Sequence, residues 1–179
     1  MTRFIEPFRR SKRMRIFLGF CVFAPAAWLI IHVGVSVFSE RYHIGVDLQK
    51  VTCVPYRFFL VSKSPFKSTL DRGDMVLFHA DLQVFKEQFP GEDDIAKFIV
   101  GLPGDQIDIQ EDRFYINGIF WDRLWLMSFL KADPGDFDRS FTISDGHYLV
   151  AATSPGSYDG RYWGTITKDQ IKAYALPLL

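Results

Sequence analysis

The segment "KFIVGLPGDQIDIQEDRFYINGIFW" (Lys97–Trp121) decides the fold class of this 179-residue chain. Its first apolar run ends at Pro103-Gly104, a dipeptide that is typical of turns. The next run, "QIDIQ", alternates apolar and polar residues with the period of two expected of a half-buried strand. Asn117-Gly118 is the dipeptide most typical of a two-residue hairpin turn. The segment therefore predicts consecutive short strands joined by tight turns.

The same kind of pattern continues on both sides of this segment. "DMVLFHA" (Asp74–Ala80) and "HYLVAA" (His147–Ala152) are short apolar runs preceded by glycine, which predicts further strands. "LQVFKEQF" (Leu82–Phe89) is compatible with a short helix or a loop, and "ADPGDFD" (Ala132–Asp138) is typical of a loop. "LWLMSFL" (Leu124–Leu130) predicts either core or an apolar surface that touches a membrane. The expected fold class is mainly β.

The N-terminal region has a different composition. Six arginines and lysines stand against the single acid Glu6 in the first fifteen residues, and the 23 residues Ile16–Phe38 contain no Asp, Glu, Lys or Arg. As a helix with a rise of ~1.5 Å per residue, this run would extend ~34 Å, enough to cross a bilayer core. The basic leader predicts a cytoplasmic N-terminus. A cleaved signal peptide is the alternative, but its small-residue site would follow the apolar run, and "APA" (Ala24–Ala26) lies in the middle.

The expected organisation follows from that asymmetry. Residues 1–15 form a basic cytoplasmic leader, residues 16–38 a transmembrane anchor, and residues 39–179 an extracytoplasmic domain. In a bacterium this is a single-pass protein of the inner membrane with its domain in the periplasm. Cys21 lies within the anchor, so Cys53 is expected to be a free thiol in an oxidising compartment.

The overall charge indicates which partners to exclude. Lys+Arg and Asp+Glu both total 21, so the net charge is zero and no nucleic-acid partner is expected.

His43, His79 and His147 are scattered, with no cysteine or carboxylate at ligand spacing. We therefore predict no metal and no other cofactor.

Four motifs follow one another behind the single anchor. They are "RGDMVLF" (Arg72–Phe78), "KFIVGLPGD" (Lys97–Asp105), "YINGIFW" (Tyr115–Trp121) and "SYDGRYWG" (Ser157–Gly164). With these motifs the chain resembles the type I signal peptidase superfamily, and it looks most similar to the TraF-like conjugative-transfer peptidases, which mature pilin precursors. The resemblance runs from the anchor to the C-terminus. It implies a mainly β catalytic domain that uses a serine–lysine dyad.

The resemblance also implies roles for individual residues. Lys97 matches the general base, and Ser157 matches the serine that orients this lysine. The TraF-like pattern has its nucleophile two residues before a proline, which gives Cys53. The bacterial signal peptidase pattern has it three residues before, which gives Thr52.

The last motif holds a further pair, and the chain departs from the family pattern at two places. Asp159 and Arg161 match a structural ion pair of the family. Gly160 stands between them where the family usually has serine, and cysteine or threonine replaces serine at the nucleophile position, depending on the register.

Chemistry favours Cys53 over Thr52 as the nucleophile. A thiolate is a strong nucleophile, whereas threonine requires a base and carries a branched Cβ. The apolar residues Phe98–Val100 after Lys97 favour burial, in which a lysine tends to be neutral and can accept a proton. Two alternatives remain open: Lys97 takes the proton of Cys53, or it stays charged and holds a thiolate. The backbone N–H of Cys53 is the expected oxyanion donor, and a dyad of Cys53 with His79 or His147 is a further alternative.

The expected function is that of a membrane-anchored endopeptidase. Fifteen residue steps separate Phe38 from Cys53 and reach about 50 Å at ~3.3–3.6 Å each, so the cleft is expected near the bilayer surface. The substrate would be an extended precursor segment that adds a strand beside the strand carrying Cys53. The resemblance implies small side chains before the cleaved bond and a conjugative pilin or another transfer component as the substrate. The alternatives are a general signal peptidase, or a catalytically inactive membrane-tethered assembly factor that only binds precursors.

Overall fold

A long N-terminal helix precedes the β domain. The computed structural model describes residues 12–47, 53–62, 69–79 and 94–178. Helix α1 (Lys12–Arg41) has 30 residues and includes Pro25. Within the described residues, its part Gly19–Arg41 is the one helical stretch long and apolar enough to cross a membrane. The helix extends three residues beyond Phe38, where the sequence placed the end of the anchor, and the first eleven residues of the basic leader lie outside the described ranges.

The unit that begins at Tyr42 is mainly β, which confirms the predicted fold class. Its described strands are β1 (Tyr42–Val46), β2 (Phe58–Ser62), β3 (Met75–His79), β4 (Asp94–Gly101), β5 (Gln106–Gln110), β6 (Arg113–Ile116), β7 (Ile119–Arg123), β8 (Arg139–Thr142), β9 (His147–Ala151), β10 (Thr165–Thr167) and β11 (Ile171–Pro177). Its described residues also form two short helices, α2 (Met127–Leu130) and α3 (Gly160–Trp163), and a 3-10 turn (Lys168–Gln170). One sheet has seven strands in the order β1-β2-β11-β3-β4-β9-β10, and the other has four in the order β7-β6-β5-β8.

The predicted hairpin turn is present between β6 and β7. Asn117 and Gly118 both have positive φ, 53° and 75°, which is the backbone that a type I′ turn requires. Ile116 pairs with Ile119 directly across this turn. In β5 the two isoleucines of "QIDIQ" are buried, as the alternation predicted.

Two apolar clusters place the elements around the candidate site. One lies where residues of β4 and β9 pack against the four-stranded sheet; it includes Val100, Leu149, Ile107 and Phe114. The other lies against β2, β3 and β11 and consists of Val54, Phe59, Val61, Met75, Ala152, Ala173 and Ala175. The seven-stranded sheet therefore presents one apolar cluster to the smaller sheet and another to the segment that carries Cys53.

The segment Leu124–Leu130 is core at its first residue and exposed at two others, while the predicted membrane contact stays a prediction. Leu124 is buried in the core, whereas Trp125 and Phe129 are exposed. Four strands, β1, β8, β10 and β11, were missed by the sequence analysis. The predicted segment Leu82–Phe89 lies outside the described residues.

Candidate active site

Lys97 lies in the middle of strand β4, where its backbone pairs with Val76 of β3. Only 1% of the residue is exposed. Its Nζ donates a hydrogen bond to Ser157 Oγ over 2.8 Å. Within the described parts of the chain, this is its one side-chain hydrogen bond, and no carboxylate forms an ion pair with it. Lys97 is thus a buried amine whose partner is a neutral hydroxyl. Lys97 and Ser157 lie sixty positions apart in the sequence.

Ser157 is held in place by the turn that connects β9 to α3. Asp159 is the N-cap of α3 and accepts a hydrogen bond from the backbone N–H of Arg161 at 3.2 Å. The other oxygen of Asp159 accepts from the backbone N–H of Ala152, at the end of β9, at 3.0 Å. Within the turn, the Ser157 N–H donates to the Ser154 carbonyl at 3.1 Å. One carboxylate therefore closes the loop on which Ser157 lies.

Arg161 is fully buried beneath this loop. Its Nε and Nη2 donate to the two oxygens of Asp159 at 2.8 and 2.9 Å, a bidentate ion pair. Nη2 also approaches the carbonyl oxygens of Ser154 and Ser157, both at 3.4 Å. Burial acts to lower the pKa of Arg161, but the hydrogen bond and charge of Asp159, together with the charge of Asp122, outweigh it and raise the pKa. The guanidinium stays charged and supports both ends of the loop segment that includes Ser157.

Gly160 is required by the close packing of this loop on β9. A Cβ at this position would lie 2.6 Å from the carbonyl oxygen of Val150 and 3.0 Å from Leu149 Cδ1. The first distance is shorter than real Cβ contacts allow. The glycine that departs from the family pattern therefore lets Asp159 and Arg161 approach the strand closely.

Asp122 belongs to the same network, although the sequence analysis did not single it out. It lies in β7 of the four-stranded sheet, and Arg161 Nη1 donates a hydrogen bond to its Oδ2. The indole N–H of Trp125 donates to its Oδ1 at 3.0 Å. The guanidinium carbon of Arg161 also lies 5.7 Å from the centre of the Trp121 ring. A single acid within the aromatic strand "IFWDR" was the only signal in the sequence.

Cys53 lies in a bend before β2 and not in a strand, so the expectation of a strand that carries Cys53 was wrong. Pro55 follows two residues later and has no N–H for a ladder, which delays strand β2 until Phe58. Cys53 is half-buried and free, and it packs against the apolar cluster that includes Val54 and Ala152. Thr52 lies outside the described residues.

The loop with Ser157 connects Cys53 and Lys97. The Ser154 N–H donates to the Cys53 carbonyl at 3.3 Å, and Ser157 of the same loop accepts from Lys97. Ala96 and Phe98, the neighbours of Lys97, pack against the same apolar cluster as Cys53. Among the hydrogen bonds of the described residues, none joins Cys53 Sγ to Lys97 Nζ. The structure therefore brings Lys97 and Ser157 into direct contact and attaches Cys53 to their loop through its backbone.

His79 and His147 have other neighbours. The Nδ1 atom of His79 lies 3.7 Å from Asp94 Oδ1, and His147 Nδ1 lies 3.2 Å from the carbonyl of Asp145. Neither makes a hydrogen bond with Cys53 in the structure. Over the described ranges, no group of three or more His, Cys, Asp and Glu side chains is arranged to hold a metal ion.

Comparisons with known proteins show a family match that covers almost the whole chain. The family model described as signal peptidase, peptidase S26, matches residues 15–178. A probable signal peptidase I-2 of Synechocystis sp. is 25% identical over 146 residues, which are 80% of this chain and 64% of the relative. A signal peptidase IB of Staphylococcus aureus is 32% identical over 117 residues, which are 57% of this chain and 56% of the relative. This chain thus spans about six tenths of the length of these curated relatives.

This chain is also similar to a solved signal peptidase I. The crystal structure of a signal peptidase I from Enterococcus faecalis V583 covers 60% of this chain and 97% of its own, with 22% sequence identity and a TM-score of 0.37. At that TM-score, the match adds nothing to the fold described above.

Proposed function

Because the chain belongs to the signal peptidase family, peptidase S26, we propose that it is a membrane-anchored endopeptidase that cleaves precursor proteins through a nucleophile and a lysine. The observation that carries this proposal is the buried contact of Lys97 Nζ with Ser157 Oγ at 2.8 Å. An ammonium buried without a counter-charge is costly, whereas a neutral amine is tolerated. An environment of this kind suits a lysine that accepts a proton during a reaction.

Ser157 orients the amine and is not itself the nucleophile. Its hydroxyl lies within hydrogen-bonding distance of Lys97, but the residue is fully buried. A peptide carbonyl cannot reach a hydroxyl in that position. Cys53 is half-buried, and its loop is joined to that of Ser157 by the hydrogen bond from Ser154. Cys53 is therefore the nucleophile that we propose.

The reaction proceeds through an acyl intermediate. Lys97 takes the proton of the Cys53 thiol as the sulfur attacks the carbonyl carbon, and the backbone N–H of Cys53 donates to the oxygen on which charge develops. Lys97 then gives its proton to the leaving amine as the C–N bond breaks. Water, deprotonated by Lys97, hydrolyses the thioester and restores the thiol. The first step requires Cys53 Sγ and Lys97 Nζ to meet when substrate binds, as catalytic hydrogen bonds often do.

The relatives favour a broad class of substrate. Both named relatives are signal peptidases, which supports precursors that carry signal peptides as the substrates of this chain. The spacing of Cys53 and Pro55 is what supports the narrower proposal of a conjugative pilin or another transfer component. A membrane-tethered factor that binds precursors without cutting them is the non-enzymatic alternative.

The proposed location is the bacterial inner membrane, with a cytoplasmic N-terminus and a periplasmic domain from about residue 39. Helix α1 provides the apolar stretch Gly19–Arg41 for the anchor. The outward face of three neighbouring strands supports a location at a membrane surface as well. Its exposed side chains are Ile44 and Val46 of β1, Phe58 of β2, Leu176 of β11 and Leu178 after it. These side chains suit the apolar part of a bilayer interface.

Mass spectrometry of co-expressed precursors tests the proposed function. Full-length protein is expressed with either a precursor that carries a signal peptide or a pilin precursor, and the products are identified by mass. We expect cleavage by wild type and by Cys21→Ser, which removes the other cysteine, and intact precursor with Cys53→Ala. Thr52→Val should reduce cleavage modestly or not at all.

Each outcome decides between the alternatives. Cleavage of only the pilin precursor would support the narrower substrate, and cleavage of the signal-peptide precursor would support the general peptidase. Processing by Cys53→Ala at the wild-type rate would exclude this cysteine as the nucleophile. Binding of both precursors by wild type with no cleavage of either would support the assembly factor.

A further inference from the structure

We propose that Asp122 is a positioning residue of the site: through Arg161 it fixes the loop that holds Ser157 against Lys97. This inference rests on the proposed function for its kinetic test and on the hydrogen-bond network for its structural test. Asp122 belongs to the four-stranded sheet, whereas Lys97 belongs to the seven-stranded sheet. The smaller sheet would thus take part in the reaction through its contact with Arg161.

The hydrogen bonds of Arg161 go to its own turn, to the loop with Ser157 and to strand β7. Nε and Nη2 bind the two oxygens of Asp159, which lies only two residues away. Nη2 reaches the carbonyls of the Ser157 loop, and Nη1 binds Asp122 and, at 3.5 Å, the Arg123 carbonyl. Asp159 lies on the same short turn as Arg161 and joins this turn to a backbone N–H at the end of β9, in the seven-stranded sheet. Asp122 is the charged partner on the four-stranded sheet, so it holds the other end of the guanidinium against a separate support.

Asp122 is itself held in one orientation. Its Oδ1 accepts the indole N–H of Trp125 at 3.0 Å, which leaves Oδ2 directed at Arg161. The Trp121 ring lies over the same guanidinium at 5.7 Å, a distance at which an arginine and an aromatic ring attract each other. The Asp122 side chain is 28% exposed and that of Arg161 is 0% exposed. The contact therefore joins a partly solvated carboxylate to a cation inside the protein.

Loss of this contact should affect the loop more than the substrate-binding surface. The bonds from Arg161 to the Ser154 and Ser157 carbonyls are long, 3.4 Å each, so a small rotation of the guanidinium breaks them. Ser157 Oγ then moves relative to the Lys97 amine. Misplacement of a catalytic group by about 1 Å can lower a rate about a hundred-fold. The apolar cluster beside Cys53 does not include Asp122, so the affinity for substrate should change little.

Steady-state kinetics of precursor cleavage by the full-length protein in detergent tests the role. We expect Asp122→Ala to lower kcat about ten- to hundred-fold and to change KM less than about two-fold. Asp122→Asn should lose less, about three- to ten-fold, because an amide oxygen can still accept from Arg161 but without the charge. Asp112→Ala is the matched control, since it removes the 3.2 Å ion pair of Asp112 with Arg123 in the same sheet. It should keep the wild-type kcat.

Amide hydrogen exchange provides a second readout that needs no cleavage. In Asp122→Ala, peptides covering residues 152–160 should exchange at least about ten-fold faster, while peptides of β5 and β6 keep their wild-type rates. If wild type cuts no precursor but this local change occurs, the proposed function fails and the positioning role stands. If cleavage occurs in wild type and neither kcat nor exchange changes in Asp122→Ala, the positioning role is wrong.

The remaining outcomes are also decisive. An equal loss of kcat in Asp112→Ala would reduce Asp122 to a general contributor to stability and overturn the proposal. If Asp122→Ala does not fold, Asp122→Asn decides: a lower kcat at constant KM supports the role, and wild-type kcat and exchange exclude it.

Discussion

Replacement of Lys97 by methionine should separate activity from stability. Methionine keeps the approximate volume of the side chain and removes the amine. The wild-type protein buries this amine almost completely, with one hydrogen bond to Ser157. Folding removes this polar head from water, which costs free energy. Methionine has no polar head to bury.

The structure gives the size of the two opposing effects. Lys97→Met loses the hydrogen bond and leaves the buried Ser157 hydroxyl without this partner, which costs roughly 1–3 kcal/mol. Against this, taking the polar head of the lysine out of water costs about 1–3 kcal/mol or more, which the variant avoids. The variant should therefore be as stable as wild type or up to about 2 kcal/mol more stable. A gain of that size would raise Tm by about 4–8 °C for a domain of this length.

Activity should change in the opposite direction. Loss of a general base lowers a rate by about 10²–10⁴-fold, so precursor should accumulate although the protein is folded. The double variant Lys97→Met/Ser157→Ala also removes the unpaired hydroxyl and should be more stable than Lys97→Met alone.

The assays are thermal unfolding of the full-length protein in detergent and mass spectrometry of the precursor. A loss of stability above about 3 kcal/mol in Lys97→Met would show that the amine serves the fold. Wild-type processing by this variant would remove Lys97 from the mechanism. Either result would refute the reasoning.

Four further predictions concern other parts of the molecule. Cys53→Ser should keep some activity and resist a thiol-alkylating reagent that inactivates wild type; a nearly dead serine variant would instead favour a charged lysine that holds a thiolate. Gly160→Ser introduces the residue usual in the family, but its Cβ would lie 2.6 Å from the Val150 carbonyl oxygen. It should lower the free energy of unfolding in urea by about 1–3 kcal/mol, and an unchanged value would contradict the close contact. Burial acts to raise the pKa of Asp105, but the hydrogen bonds that it accepts outweigh this and lower the pKa. Asp105 therefore contributes stability above about pH 4 that is lost as the pH falls through its lowered pKa. Asp105→Asn should make the free energy of unfolding in urea less dependent on pH between about 5 and 2. An equal pH dependence in wild type and variant would exclude this contribution of Asp105. A reporter that is active only in the cytoplasm, fused after Leu179, should give no signal, and a bright signal would reverse the proposed orientation.

Local patterns were enough to predict the central strands and their hairpin. "QIDIQ" has the alternation of a half-buried strand, and Asn117-Gly118 has the residues of a hairpin turn. Both signals are complete within a few consecutive residues. Strands β8 and β11 were missed because their residues are mixed in character, and their extended form depends on pairing with distant strands. Propensity alone contains no information on those partners.

The candidate site was predictable to a different degree for each residue. The assignments of Lys97 and Ser157 came from resemblance, since no spacing rule relates two residues that are sixty positions apart. The structure places them in contact. Asp122 could not be found in this way, because its contact with Arg161 joins β7 of the four-stranded sheet to the short helix α3, 39 positions further along the chain. Cys53 was expected in a strand because the apolar residues around it resemble one, but Pro55 interrupts the ladder.

The position of β11 has a consequence for the time at which the protein can become active. This last strand lies between β2, which follows Cys53, and β3, which pairs with the strand of Lys97. Until residues 171–177 have paired, no ladder of the described sheet joins β1 and β2 to β3, β4 and β9. The Ser154–Cys53 hydrogen bond would then have to hold the two parts together without that ladder. On the proposed function, a chain whose β11 has not yet paired is therefore latent, because this strand aligns the parts that carry the nucleophile and the base.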